Sequence, residues 1–240
     1  DGDGLRAEAR ADGALTLAIE GAFAGELGNG DDNLVLRAAR ALQAAAGVGR
    51  GASILLDKAL PIASGIGGGS ADAAAALRLL VRLWHLDDRE IDLFAIAQSL
   101  GADVPVCLDS RTAFGTGIGE QLEPVDPGVG GMPILLVNPL LPCPTGPVFR
   151  GWDGFDRGVL ALESWRHGRN DLQASAGALL PVIADILADL SSLPGVTVSR
   201  MSGSGATCFA MFEYTGARDD AETAIRAAHP GWWTLGSVIR

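Results

Sequence analysis

Within residues 60–75 glycine occupies positions 65, 67, 68 and 69, and Ser70 then leads into an Ala/Leu-rich stretch. Glycine lets the backbone take φ > 0 and approach a ligand closely. A helix beginning there aims unpaired N–H groups, and roughly half a positive charge, at whatever sits above it. That is a phosphate cradle built from main chain. A flexible linker is the competing reading, and the apolar segments on both sides speak against it. The common loops of this kind do not fit. A Walker A loop ends in Gly-Lys-Ser/Thr, whereas Gly69-Ser70-Ala71 has no lysine. The dinucleotide pattern G-x-G-x-x-G, started at Gly65, meets Ser70 where its third glycine belongs. The nucleophile elbow G-x-S-x-G, started at Gly68, meets Asp72 in place of its last glycine.

A second candidate is Asp103, set between Gly101-Ala102 and Val104-Pro105-Val106. A lone carboxylate among apolar neighbours is costly unless it is hydrogen-bonded or paired. Asp103 is therefore either a chemical group or the brace of a turn, as Asp often is. His85, His167 and His229 match no metal or triad spacing, and no histidine partner for a serine nucleophile can be placed. Cys107, Cys143 and Cys208 are odd in number and widely spaced, and read as buried thiols in a reducing compartment.

The elements that must position these groups follow from pattern. Residues 14–20 alternate with period two, as a half-buried strand does. Asp32-Asn33 supplies capping oxygens for a helix to about residue 46, stopped by Gly47. A short strand at 53–58 leads into the glycine loop, and a helix from Ser70 to about residue 85 carries Leu77, Leu80, Val81 and Trp84 at core spacing. Another helix is expected over 90–100, ended by Gly101. Asp126-Pro127-Gly128 and the glycines after it mark a boundary, dividing the chain into domains at 1–128 and 129–240. Beyond it a strand is expected at 133–138 and a helical region at 170–190 interrupted by Pro181. Strands at 195–200 and 207–213 are joined by Ser202-Gly203-Ser204-Gly205-Ala206, followed by a helix at 218–228 and a strand at 232–239 with Trp232 and Trp233 in the core. The fold class is α+β, in two domains.

Composition agrees with a globular enzyme: 240 residues, 48% hydrophobic and 20% charged. A formal net charge of −11 argues against nucleic acid or an anionic membrane as the main partner, so an anionic substrate must be held locally. No apolar stretch approaches the ~20 residues of a membrane span, and no signal peptide precedes Asp1; the expectation is a cytoplasmic protein.

The segment Leu60-Pro61 through Gly65-Ile66-Gly67-Gly68-Gly69-Ser70 resembles the Pro-x-x-x-Gly-Leu-Gly-Gly-Gly-Ser/Ala loop of the GHMP kinases, with Ile66 in place of leucine. Gly101-Ala102-Asp103-Val104-Pro105 is similar to one branch of that family, whose members phosphorylate 4-diphosphocytidyl-2-C-methyl-D-erythritol in non-mevalonate isoprenoid synthesis. Segments at 32–39, 138–149, 169–172 and 200–207 agree in order and spacing, as does Pro230-Gly231-Trp232-Trp233. The resemblance implies a two-domain GHMP kinase fold, with a ribosomal protein S5 domain 2-like N-terminal domain and an α+β C-terminal domain.

It also implies roles. The γ-phosphoryl of ATP would move to the C2 hydroxyl of the methylerythritol unit, with Asp103 as general base and Mg2+ as companion of the nucleotide. Pro61, Gly65, Ile66, Gly67, Gly68, Gly69, Ser70 and Ala71 would line the ATP phosphates, and Ser70 would take a magnesium-bound position; a plain N-cap role fits Ser70 equally. Asn33 and Lys58 match adenine-pocket positions, against a helix cap and a solvated lysine. Phe149 would stack on cytosine, against core packing. Thr145, Gly203, Ser204 and Gly205 would lie near substrate or phosphate, against a tight turn with no ligand. Asp72 is expected to favour the helix dipole rather than bind metal. The family begins with a Pro-Ala-Lys-Ile-Asn-Leu strand and an Asp-Gly-Tyr-His segment. Neither is in this sequence, and without that lysine Asp103 lacks its nearest expected cation. A non-catalytic GHMP-fold protein that binds a nucleotide or sugar is the alternative. Another GHMP small-molecule kinase, acting on homoserine or mevalonate, is disfavoured by the Asp103 motif and Asn170-Asp171-Leu172. A monomer or a homodimer is compatible with the sequence.

Overall fold

A computed structural model describes residues 2–87, 90–117, 119 and 121–239. Its contacts separate two compact units, Asp1–Ile62 with Gly67–Val125, and Ala63–Ile66 with Asp126–Arg240. The chain thus enters the second unit briefly within the glycine loop and returns before Gly67.

In the first unit β1 (Gly4–Arg10), β2 (Leu15–Glu20) and β3 (Gly51–Asp57) form a sheet in the order β1-β3-β2. β2 and β3 are parallel, and α1 (Leu34–Ala46) is their crossover, as parallel neighbours require. β1 runs antiparallel on the other edge of β3. Asn33 caps α1 by accepting from the Val35 N–H at 2.9 Å, and Gly47 ends it in the left-handed region. α2 (Gly68–Leu83) packs against α1, burying Leu77, Leu80 and Trp84 with Leu42 and Leu56. Truncating such a buried leucine to alanine costs about 2–5 kcal/mol. α3 (Leu93–Leu100), α4 (Val104–Asp109) and the hairpin of β4 (Ala113–Thr116) and β5 (Gln121–Pro124) complete the unit.

The second unit is a four-stranded antiparallel sheet in the order β7-β8-β6-β9. It comprises β6 (Pro133–Asn138), α5 (Thr145–Arg150), α6 (Gln173–Leu179), α7 (Val182–Ser192), β7 (Val196–Met201), β8 (Cys208–Phe212), α8 (Thr215–Ala228) and β9 (Trp233–Val238). Ile183, Ile186 and Leu190 of α7 and Ile225 of α8 bury against Leu135, Val137 and Phe212.

Several expectations shift. α2 opens at Gly68 rather than Ser70, because Gly67 takes the left-handed conformation at its N-cap. The helical region before residue 190 is two helices, α6 and α7, with Pro181 at the N-cap of the second, where its missing N–H does no harm. Trp232 and Trp233 are half-buried; Trp232 stacks on His229 at 3.6 Å. Cys143 and Cys208 are buried as expected, while Cys107 is only partly so. No described helix is long and apolar enough to cross a membrane.

Candidate active site

The glycine loop splits by conformation. Gly65 and Gly67 have φ of +76° and +68°, which only glycine adopts cheaply. A Cβ on Gly65 would lie 2.5 Å from the Gly205 carbonyl oxygen, and one on Gly203 2.9 Å from the Gly65 carbonyl oxygen. Neither position accepts a side chain. From Gly68 the chain is helical, and the Ala71 N–H is already engaged, donating to the Gly67 carbonyl at 2.9 Å. The N–H groups of Gly68, Gly69 and Ser70 have no partner within the helix. Ser70 sits half-buried in the first turn and does not cap it.

A cavity of about 380 Å³ opens beside this terminus, lined by Leu27, Gly28, Asn33, Leu34, Gly69 and Asp72 among others. The Asn33 side chain is occupied locally: besides its cap bond, its amide donates to the Gly28 carbonyl at 2.8 Å. That shapes the loop forming one wall of the cavity. Lys58 does not line it.

Lys58 is buried, 3% exposed, and its ammonium lies 2.5 Å from Asp3 Oδ2 and 2.9 Å from Asp72 Oδ2. A solvated lysine is therefore wrong for this position. Asp72 is not a surface charge beside the helix dipole; it is 4% exposed and directed at Lys58. Asp3 also accepts from the Ala59 and Leu60 N–H groups at 2.7 and 2.9 Å through Oδ1. Burial pushes the Asp72 carboxyl up to about 6; the lysine opposes this, and the neighbouring Asp3 charge reinforces it. Nothing in the sequence pointed to this cluster, since its members stand 14 and 55 residues apart.

Asp103 stands exposed at the start of α4 and makes no side-chain cap bond there. It is neither buried among apolar groups nor bracing the turn through its carboxylate. α4 is fastened to α2 by Arg78, which donates to the Cys107 and Leu108 carbonyls at 2.8 and 3.1 Å. Cys107, one turn after Asp103, has its thiol pushed up by burial and by the charges of Asp103 and Asp72, with Arg78 opposing. Arg78 drew no attention in the sequence, because a lone arginine on a helix carries no motif.

In the second unit the turn from Ser202 to Thr207 is braced on every side. Ser202 Oγ donates to the Gly65 carbonyl at 2.8 Å, and the Thr207 N–H to the Ser64 carbonyl at 3.2 Å. Asn170 donates to the Met201 and Gly203 carbonyls at 2.9 and 2.7 Å, and Asn138 to Thr207 Oγ1 at 2.8 Å. Ser204 is buried with its hydroxyl 2.9 Å from that of Thr145, the first residue of α5. Phe149 on the same helix is 56% exposed, which rules out core packing. Pro61 is buried, and Ile66 is half-buried within the loop. Among the described residues no group of three His, Cys, Asp or Glu could hold a metal ion.

Comparison with known proteins gives the family. Residues 33–111 match the model of the GHMP kinases N-terminal domain and residues 157–231 that of the GHMP kinases C-terminal domain. A protein of Rhizorhabdus wittichii named 4-diphosphocytidyl-2-C-methyl-D-erythritol kinase is 48% identical over 95% of this chain and 80% of its own length. One of the same name from Cereibacter sphaeroides is 48% identical over 97% of this chain and 84% of its own. A crystal structure of a 4-(cytidine 5'-diphospho)-2C-methyl-D-erythritol kinase superposes with a TM-score of 0.80 at 33% identity, covering 98% of this chain and 85% of that one. A homoserine kinase from Cytophaga hutchinsonii superposes at 0.79 with 17% identity, which speaks for the fold alone. With both domain models matched in order and relatives 48% identical over nearly all of its length, the chain belongs to the GHMP kinase family.

Proposed function

We propose that the protein transfers the γ-phosphoryl of ATP to the C2 hydroxyl of 4-diphosphocytidyl-2-C-methyl-D-erythritol, a cytoplasmic step of non-mevalonate isoprenoid synthesis. The observation that carries this reading is the glycine loop, with Gly65 and Gly67 at positive φ, leading into α2, whose first N–H groups have no partner within the helix. The exposed Asp103 carboxylate, on an α4 fastened to α2 by Arg78, is the candidate base. Phosphoryl transfer needs positioning and charge neutralisation more than covalent chemistry.

The N–H groups of Gly68, Gly69 and Ser70, with the loop from Pro61 through Gly65 and Ile66 to Gly67 and the first-turn Ala71, hold the phosphates; the cavity beside Asn33 takes the adenine. Asp103 accepts the proton of the attacking hydroxyl. Mg2+ would arrive on the nucleotide and neutralise its phosphates when bound, and the half-buried Ser70 hydroxyl is the side chain suited to reach it. In the second unit the exposed Phe149 ring stacks on cytosine, and Thr145 with Gly203, Ser204 and Gly205 contacts the diphosphate or polyol. The names of the relatives at 48% identity favour this substrate over homoserine and mevalonate.

ADP release tests the reading in protein that carries the family's amino-terminal strand, with 4-diphosphocytidyl-2-C-methyl-D-erythritol, homoserine and mevalonate offered in turn. Turnover with the cytidyl substrate alone, lost in Asp103→Asn, is expected. Turnover with another acceptor, or none despite bound ATP, would sink the assignment.

A further inference from the structure

The cluster of Lys58, Asp3 and Asp72 has no part in the chemistry above, although buried charge is scarce in this chain. Among described residues Lys58 and Asp72 are the only charged groups classed as buried overall, and the Asp3 side chain is 4% exposed. The three come from different elements: Asp3 precedes β1, Lys58 follows β3, and Asp72 lies one turn into α2. Their meeting point is directly under the cradle, since a Cβ on Gly68 would lie 3.4 Å from Lys58 Nζ. Lys58 also falls outside the lining of the cavity beside Gly69.

We infer that Lys58 and Asp72 are positioning residues for the phosphate-binding end of α2, and that Lys58 is not a ligand of the nucleotide base. The inference rests on the kinase reading of that helix terminus. One ammonium shared between two carboxylates fixes the register of α2 against the ends of β1 and β3. Removing the ammonium alone leaves two carboxylates facing each other without their common cation, a far worse state than removing the cluster's excess charge with it. If Asp72 becomes asparagine at the same time, its amide can donate to Asp3 in place of the ammonium, and the register is recovered.

The test compares the parent, Lys58→Met, Asp72→Asn and the double variant, each titrated calorimetrically with ADP and with adenosine. Amide exchange over Gly68 to Ala71 is followed without nucleotide. Positioning predicts that Lys58→Met weakens ADP by about tenfold, the scale of coupling between contacting residues, with adenosine affinity kept. Exchange at the start of α2 accelerates, and the double variant recovers most of both changes. Should Lys58→Met fail to fold, the double variant carries the test: near-parental ADP affinity supports the inference. Equal loss of adenosine and ADP affinity, without recovery in the double variant, would make Lys58 a base ligand and overturn it. A parent that binds adenosine but no ADP refutes the kinase reading; the exchange rates then still decide whether the cluster positions α2.

Discussion

The two units fix their loops by opposite means. In the first, the start of α2 rests on a buried ammonium between two carboxylates. In the second, the turn from Ser202 to Thr207 is held by hydroxyls and amides that bond mainly to backbone carbonyls, with no charged partner in that network among the described residues. A buried ionic cluster is unforgiving when one member is lost and sensitive to pH. A neutral network loses its bonds one at a time and ignores pH. The difference separates a helix start fixed by charge from a turn fixed by neutral hydrogen bonds.

That contrast can be broken in order of expected effect. Asp103→Asn leaves an exposed position with no cap bond, so thermal stability should stay at the parental value while turnover falls about 100- to 10,000-fold, the span of a general base. A parallel drop in melting temperature would show that the aspartate braces α4 instead. Lys58→Met should cost about 3–5 kcal/mol in denaturant unfolding, the penalty for orphaning buried charge. Asn170→Ala should cost about 1–2 kcal/mol, since it removes two neutral donors. If the asparagine matched the lysine in effect, the distinction between the two loops would fail.

The last expected effect concerns pH. The Asp72 carboxyl is pushed up to about 6 from 3.8, so between those values the folded chain keeps a proton that the unfolded chain has released. Stability from this group is full at the acid end of that window and lost as pH rises through about 6. Unfolding followed across that range should show Asp72→Asn flattening the slope, differing least from the parent at the acid end and most at neutral pH, whereas Asn170→Ala should leave the slope untouched.

The legible parts of the molecule were those written locally. Asn33 and Gly47 bracket α1 by cap chemistry, the β6 residues 133–137 are an uninterrupted apolar run, and the glycine loop announces itself. β1, with Arg6, Glu8 and Arg10 alternating with Leu5, Ala7 and Ala9, has little strand propensity of its own; pairing with β3 makes it a strand. α5 carries Gly146 and Pro147 within six residues, so nothing local proposes a helix there. Ser70 looked like a helix start because serine caps helices, but Gly67 took the role by a backbone conformation that composition does not display. The Lys58 cluster and the Arg78 clamp depend on tertiary contact and leave no trace in spacing.

The excursion of residues 63–66 into the second unit bears on how such proteins can be recombined. A chimera joined at the linker after Val125 would take those residues from the first parent and their partners Ser202 and Thr207 from the other. The acceptors in that segment are main-chain carbonyls of Ser64 and Gly65, which any parent supplies. Interchange between lineages is thus constrained at two places 138 positions apart, 65 and 203, where each parent must itself supply glycine because a Cβ would meet the backbone of the facing segment.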